Sequence, residues 1–371
     1  IERYRKFMHE VCEMVVDKYD GSLKAEHGTG RNMAPYVEME WGAEAYAIVK
    51  RIKEIFDPGY LLNPGVVINQ NPNVHIENLK PLPKTHPIVD KCIECGFCET
   101  CCPSKDLTLT PRHRIVIQRE ISRLQSTGED LQRLRALENT YIYQGEQTCA
   151  VDGMCATTCP VEINTGQHTK ELRHIAGAGS RTRAVANWAA HHFERITAIT
   201  RSGLRFTNTA HTILGTRLMG KLTAWIRRIG KDRIPLWNRY MPQAADAPVA
   251  FPAPSSETLK VVYFPSCISR TMGPAKGDPD KDSIPDTMVR VLLKAGYEII
   301  YPQHMNTLCC GTPFESKGHF KQADIKAREL EDALRQASEN GKWPVVCDTS
   351  PCLYRMRQVM NSGLKLYEPV E

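Results

Sequence analysis

No apolar run in the sequence approaches the eighteen or more residues that a membrane-spanning helix requires. A signal peptide is also missing. The opening residues, IERYRKFMHEVCEMVVDKYD, are charged and helical in pattern and include no starting methionine. The chain is therefore expected to begin inside a longer protein, and it stops as abruptly at KLYEPVE. Acid is scarce in the middle of the chain. Over residues 170–240 only Glu171, Glu194 and Asp232 stand against fourteen Lys and Arg, whereas residues 1–69 hold nine basic and eleven acidic residues. The overall charge of +6 thus hides a strongly basic centre. With 371 residues, 42% hydrophobic and 24% charged, the rest is ordinary for two or three soluble domains. Cysteine is the excess, at fourteen. A secreted disulfide scaffold would be short and loop-rich, and this chain is neither. Its cysteines cluster at metal-like spacings, which points to a reducing, cytoplasmic setting and bound metal.

Residues 92–103, CIECGFCETCCP, carry the full C-x₂-C-x₂-C-x₃-C-P pattern of an iron–sulfur site in Cys92, Cys95, Cys98 and Cys102, with Cys101 extra. A zinc knuckle or free thiols would fit less well, because zinc sites pair two C-x₂-C halves without the third Cys and the Cys-Pro. Residues 149–160, CAVDGMCATTCP, repeat the pattern with Asp152 in the second position. In two-cluster ferredoxins the proline-tagged Cys crosses to the other cluster. Crossing assigns Cys92, Cys95, Cys98 and Cys159 to one 4Fe-4S cluster. Cys149, Cys155 and Cys102 fall to the other, with Asp152 at its fourth corner as a harder oxygen ligand. The alternative is that Asp152 only caps a turn. The C-x₂-D-x₂-C-x₃-C-P form resembles a variant of archaeal ferredoxins, which implies a labile iron and a 3Fe-4S form. Between the motifs, Thr110-Pro111 starts a helical run through Ile115, Ile117, Ile121 and Leu124, continued by Leu131, Leu134 and Leu137. A helical insert here resembles the α-helical ferredoxins of succinate dehydrogenase and glycolate oxidase iron–sulfur subunits.

Near the start, GSLKAEHGTGRN precedes an amphipathic helix with Ile48, Ile52, Ile55 and Phe56 on its apolar face, ended by Asp57-Pro58. By pattern this is a helix–strand–helix fragment with a Gly-rich loop, and an ordinary loop would account for Glu26-His27. AEHGTG followed by FDPGYLLNPG resembles the C-terminal end of FAD-linked oxidases of the vanillyl-alcohol-oxidase type, which include D-lactate, glycolate and D-2-hydroxyglutarate dehydrogenases. The resemblance implies that Glu26 binds a divalent metal such as zinc beside the flavin. It makes His27 the base or a substrate contact and places Asn63 near the flavin, with Gly28 and Gly30 letting the backbone approach. Such an enzyme needs a base for the hydroxyl proton, and imidazole suits that task. The FAD-binding half is expected upstream, so this chain alone is not expected to hold FAD.

Toward the end, LKVVYFPSC, TMVRVLLKAG, YEIIYP and WPVVCDTSPCLYRM alternate strand and helix, which predicts a parallel α/β unit. Cys267, Cys309, Cys310 and Cys352 all follow strands, where ligand sites of open α/β sheets gather. This resembles the CCG domain of heterodisulfide reductase and glycolate oxidase iron–sulfur subunits. The departure is Thr349 in the first position of the final C-x-x-C, with Cys347 nearby. That puts a five-cysteine cluster in doubt and leaves a four-cysteine site, or a sheet with buried free thiols.

The expected organisation is α+β and multidomain: residues 1–69 the end of an FAD-linked oxidase C-terminal domain, 70–88 a linker, 89–175 an α-helical ferredoxin, 176–240 a basic helical connector, 241–257 a second linker, and 258–371 the CCG domain. This order resembles the long bacterial D-lactate dehydrogenases that fuse flavin and iron–sulfur parts. It implies oxidation of a D-2-hydroxy acid, foremost D-lactate, with electrons passing to a quinone or cytochrome. D-2-hydroxyglutarate or glycolate dehydrogenase is the alternative, and a non-catalytic electron-transfer module is the alternative of another class. The basic segment with Trp188, Trp225 and Trp237 either touches anionic lipid, peripherally on the inner membrane, or packs on acidic parts of the same protein. No motif that reads nucleic acid accompanies it.

Overall fold

The computed structural model describes residues 1–24, 28–177, 179–230, 236–246, 259–360 and 363–371. The chain divides into two compact units, residues 1–83 and 84–371.

In the first unit, helix α1 (Glu2–Glu13) runs on into a π-helical turn, Met14–Lys18, and α2 spans Val37–Phe56. Cys12, Leu23 and Tyr36 form a small core with Met8, Val15, Val16, Met33 and Met39 around them. The expected strand between the helices is not formed among the described residues; Gly28 makes only an isolated bridge. The reason is local, since Gly28 and Gly30 both take positive φ, which a strand does not accommodate. On α2, Val37 and Tyr46 are the buried side chains, and the sequence-derived apolar face of Ile48, Ile52, Ile55 and Phe56 is exposed. The expected linker is partly structural: His75 and Ile76 are buried, and the Tyr36 hydroxyl lies 3.3 Å from His75 Nε2.

In the second unit, α3 (Pro111–Thr127) starts as expected, with Thr110 as N-cap and Pro111 in the first turn. Ile115, Ile121 and Leu124 are its buried apolar residues. Gly128 ends it in the left-handed region, and the leucine run continues as a separate helix, α4 (Leu131–Tyr141). The short α5 (Met154–Thr157), then α6 (Thr165–Ala176), α7 (Ser180–His191) and α8 (Phe193–Gly230) follow.

Six strands follow among the described residues. β1 (Pro242–Ala244) pairs antiparallel with β3 (Met272–Ala275). The other four form an all-parallel sheet in the order β4 (Tyr297–Ile300), β2 (Leu259–Phe264), β5 (Val345–Cys347), β6 (Leu366–Tyr367). Helices α9 (Cys267–Thr271), α10 (Ile284–Lys294), α11 (Thr312–Glu315), α12 (Phe320–Ala337) and α13 (Ser350–Val359) connect the strands. Alternation along β2 makes a two-faced sheet. Val262 and Phe264 pack with Leu330, Leu334, Leu353 and Met356, while Val261 and Tyr263 face Met288, Val289 and Leu292. Each such apolar side chain contributes about 1.5–3 kcal/mol relative to exposure.

Two further boundaries differ from the sequence-based expectation. The second linker contains β1, because Pro242–Ala244 complete a ribbon with β3; residues 247–258 lie outside the described residues. The basic connector is part of the C-terminal core, since Ala190 and Phe193 pack against Cys309, Phe314 and Ala323.

Candidate metal centres

His27 and Glu26 lie outside the described residues. Of the flavin-side set, Gly28, Gly30 and Asn63 can be placed, and the structure brings their two loops side by side. Val67 N–H donates to the Gly30 carbonyl at 3.0 Å, and Arg31 Nη2 donates to the Pro64 carbonyl at 3.0 Å. Asp57 organises the second loop: its carboxylate accepts from Leu61 N and Leu62 N at 3.0 and 2.9 Å and from Lys53 Nζ at 2.5 Å. The Lys53 ammonium, helped by those backbone donors, holds the Asp57 carboxyl below the usual carboxylate range.

Cys92, Cys95, Cys98 and Cys159 line one small cavity, with Gly96, Arg112, Ile115 and Ile163 among its other walls. The crossed set therefore stands around a common space. Backbone N–H groups serve the thiols: Glu94 N lies 3.3 Å from Cys92 Sγ, and the Arg112 N–H at the start of α3 bonds Cys98. Burial, against that donor, pushes the Cys98 thiol up to about 11. A thiol so reluctant to ionise alone becomes a thiolate when a metal supplies the counter-charge. Among the described residues no three Cys, His, Asp or Glu side chains converge on a single-ion point. A cubane bound by four thiolates needs no such convergence, because each takes a different iron.

For the second set, Cys102 and Cys155 are buried and Cys149 is half-buried. The Cys155 thiol is raised, by burial first, while the backbone N–H groups of Thr165 and Gly166 at the start of α6 act in the opposite sense. Asp152 is exposed, and its Oδ1 accepts from Met154 N at 3.1 Å, a turn-capping arrangement. Cys101, the extra thiol, lies 3.3 Å from the Met154 carbonyl and 3.4 Å from Thr158 Oγ1, so it ties the two motif loops together.

The third group gathers at the carboxyl end of the parallel sheet. Cys267 Sγ and Cys309 Sγ are 4.0 Å apart, and Cys310 bonds both Cys309 and Cys352. Thiol–thiol hydrogen bonds, from Cys309 first in each case, push Cys267 and Cys310 down, and Cys309 and Cys352 go up in exchange. Gly311, the glycine of CCG, has φ +90°, and a Cβ there would stand 2.3 Å from the Ala323 carbonyl oxygen. No other residue fits that approach of loop to α12. Thr349 is committed elsewhere, its Oγ1 bonding Ser266 Oγ at 2.8 Å and Asp348 Oδ1 at 3.0 Å. Cys347 is fully buried in the apolar core, and burial pushes its thiol up to about 12.

Sequence reasoning missed the charged residues around these thiols. Arg114, 1% exposed, donates to Gly145 O, to Ser104 Oγ and, at 3.7 Å, to Cys102 Sγ. Buried Arg270 donates to the carbonyls of Pro265, Met305 and Leu308 beside Cys267 and Cys309. Between the second and third groups runs a bridge centred on α6. Arg173 donates to the Cys149 carbonyl at 2.9 Å and to the Ser316 carbonyl at 2.6 Å. Lys170 pairs with Glu315 at 3.2 Å, and Arg355 holds Glu315 at 2.7 Å and the Cys310 carbonyl at 3.0 Å. Of these cations only Lys170 and Arg173 fall in the basic segment, and charge alone does not say which cations are buried.

Two domain classes account for the first half of the chain. Residues 1–67 match the C-terminal domain of FAD linked oxidases, and residues 88–163 match the 4Fe-4S dicluster domain. These matches imply FAD and 4Fe-4S clusters as cofactors. The similar proteins are particular dehydrogenases and oxidases. The chain is 41% identical over 68 residues to a mitochondrial D-lactate dehydrogenase [cytochrome] of Arabidopsis thaliana, covering 18% of this chain and 11% of that protein. It is 37% identical over 65 residues to glycolate oxidase subunit GlcD of Bacillus subtilis, covering 18% and 14%. It is 38% identical over 52 residues to a D-2-hydroxyglutarate dehydrogenase of Stutzerimonas stutzeri, covering 14% and 11%. The chain thus spans between a tenth and a seventh of the length of these relatives. No solved structure matches it.

Proposed function

We propose that this chain is the electron-carrying part of an enzyme that oxidises a D-2-hydroxy acid, foremost D-lactate to pyruvate, and delivers the electrons to a quinone or cytochrome. The observation that carries this reading is the joining, in one chain, of an FAD-oxidase C-terminal segment and a dicluster domain. Flavin accepts two electrons from the substrate, and iron–sulfur clusters pass them on singly. Cys92, Cys95, Cys98 and Cys159 hold the first cluster, a set supported by their shared cavity. Cys102, Cys149 and Cys155 hold the second with Asp152, and Cys267, Cys309, Cys310 and Cys352 hold a third centre. His27 takes the substrate hydroxyl proton. Glu26 binds a divalent metal such as zinc, and Gly28, Gly30 and Asn63 line the flavin side.

The test is a panel of D-lactate, glycolate and D-2-hydroxyglutarate on the full-length protein with a soluble acceptor. D-lactate is expected to give the highest kcat/KM. A higher value for either other acid reassigns the substrate, and inactivity on all three overturns the reading in favour of a non-catalytic electron-transfer module.

A further inference from the structure

Helix α8 is two arms broken at Gly215, where φ 73° and ψ 165° form a conformation open essentially only to glycine. The second arm, residues 216–230, is anchored on its inner side. Met219 is buried, Thr223 Oγ1 accepts from Trp237 N at 3.0 Å, and Trp237 packs edge-on against His211 at 5.3 Å. Its outer side carries Leu218, Leu222, Trp225 and Ile229, spaced by four, three and four residues and therefore in one line. They are 50%, 40%, 59% and 76% exposed. Arg217, Lys221 and Arg228 are exposed as well, and at this spacing they form a second line directly beside the first. The first arm adds Ile199, Phe206 and Ile213 at seven-residue intervals, all exposed. From Arg195 to Lys231 the chain holds no Asp or Glu.

An apolar line with an unbroken cationic flank matches the interface of a bilayer whose headgroups are anionic. Acyl chains take the leucines and isoleucine, and the tryptophan ring sits at headgroup level. The exposed stripe of α2 lacks this character, because Glu44 and Glu54 stand beside it together with Arg51. No helix among the described residues is long and apolar enough to cross a membrane, so the contact would be peripheral. We propose that the outer face of the second arm of α8 docks on anionic lipid, through Leu218, Leu222, Trp225 and Ile229 in the interface and Arg217, Lys221 and Arg228 on the headgroups. The purpose of the contact, delivery of electrons to a membrane acceptor, rests on the function proposed above; the surface itself rests on exposure and charge.

The experiment is co-sedimentation of the full-length protein with vesicles of phosphatidylcholine alone and of equimolar phosphatidylcholine and phosphatidylglycerol. Binding is expected only to the anionic vesicles, and it should weaken as salt screens the attraction. The triple substitution Arg217→Gln, Lys221→Gln, Arg228→Gln should weaken binding on the order of 100-fold. Leu222→Ser with Trp225→Ser should abolish it. Both variants alter exposed side chains, and an unchanged circular dichroism melt would establish that they fold. No binding by the wild type, equal binding to neutral vesicles, or full binding by both variants would overturn the proposal and assign the face to a protein contact. Turnover with a soluble acceptor is measured in parallel, so loss of vesicle binding with intact D-2-hydroxy acid oxidation sinks the surface alone. Vesicle binding without turnover sinks the catalytic reading alone.

Discussion

At the scale of single residues, Asp152 and His168 show how one side chain can set the behaviour of a module. Asp152 replaces a thiolate in an otherwise regular motif, and its Oδ1 caps the Met154 amide. A carboxylate holds iron less softly than sulfur, and protonation releases it. Mild oxidation should therefore convert the second ferredoxin cluster to a 3Fe-4S form in the wild type, visible by electron paramagnetic resonance, and Asp152→Cys should prevent that conversion. Equal resistance of the two proteins would leave Asp152 as a cap only. His168 is 2% exposed on α6, and neither ring nitrogen finds a partner among the described residues. Burial first, then the His86 ring at 4.8 Å, holds it down to about 4, with Asp90 opposing; Glu171 pairs with His86 at 2.9 Å. Between pH 6.5 and about 4 the unfolded chain binds a proton that the folded one refuses. Stability thus falls as pH falls through that window, by up to about 3 kcal/mol at its lower end. Denaturation at pH 7 and pH 5 should show a loss in the wild type that His168→Leu reduces; an identical pH dependence would place the titration elsewhere.

Among the elements, α6 reaches two of the three thiol groups. Its N-terminal amides face Cys155, its middle residue Lys170 meets Glu315, and Arg173 and His174 reach the loop after Cys310. Glu315 is shared by two cations, with Lys170, Glu315 and Arg355 side chains 11%, 13% and 5% exposed. Removing a buried carboxylate leaves its partners desolvated and uncompensated, a cost of about 3–5 kcal/mol. Glu315→Gln should lower stability by that order in chemical denaturation, and Lys170→Met in the same background should recover part of it. A loss below about 1 kcal/mol would mean that the pairs are solvated like surface salt bridges.

For the whole molecule, three thiol groups lie in the second unit, two in the ferredoxin loops and one at the carboxyl end of the parallel sheet. If each holds its own centre, Cys310→Ser should remove one set of paramagnetic signals and the corresponding iron while both ferredoxin signals remain. Loss of every signal would mean that the thiols at the carboxyl end of the sheet instead support the ferredoxin fold through the α6 bridge.

Much of this was determined by sequence because it depends on local spacing. The C-x₂-C runs, the Thr110-Pro111 helix start, the alternating strands and the Cys-Cys-Gly turn are encoded within a few residues of each other, and backbone geometry alone dictates their form. Tertiary structure decided what depends on distant partners. It built Phe193 into the packing behind Cys309 and turned Pro242–Ala244 into a strand. It also buried Arg114, Arg270 and Arg355 while leaving Arg217, Lys221 and Arg228 in solvent. Charge is legible in a sequence, but whether an arginine loses its water depends on which carbonyls and carboxylates the rest of the chain brings to it.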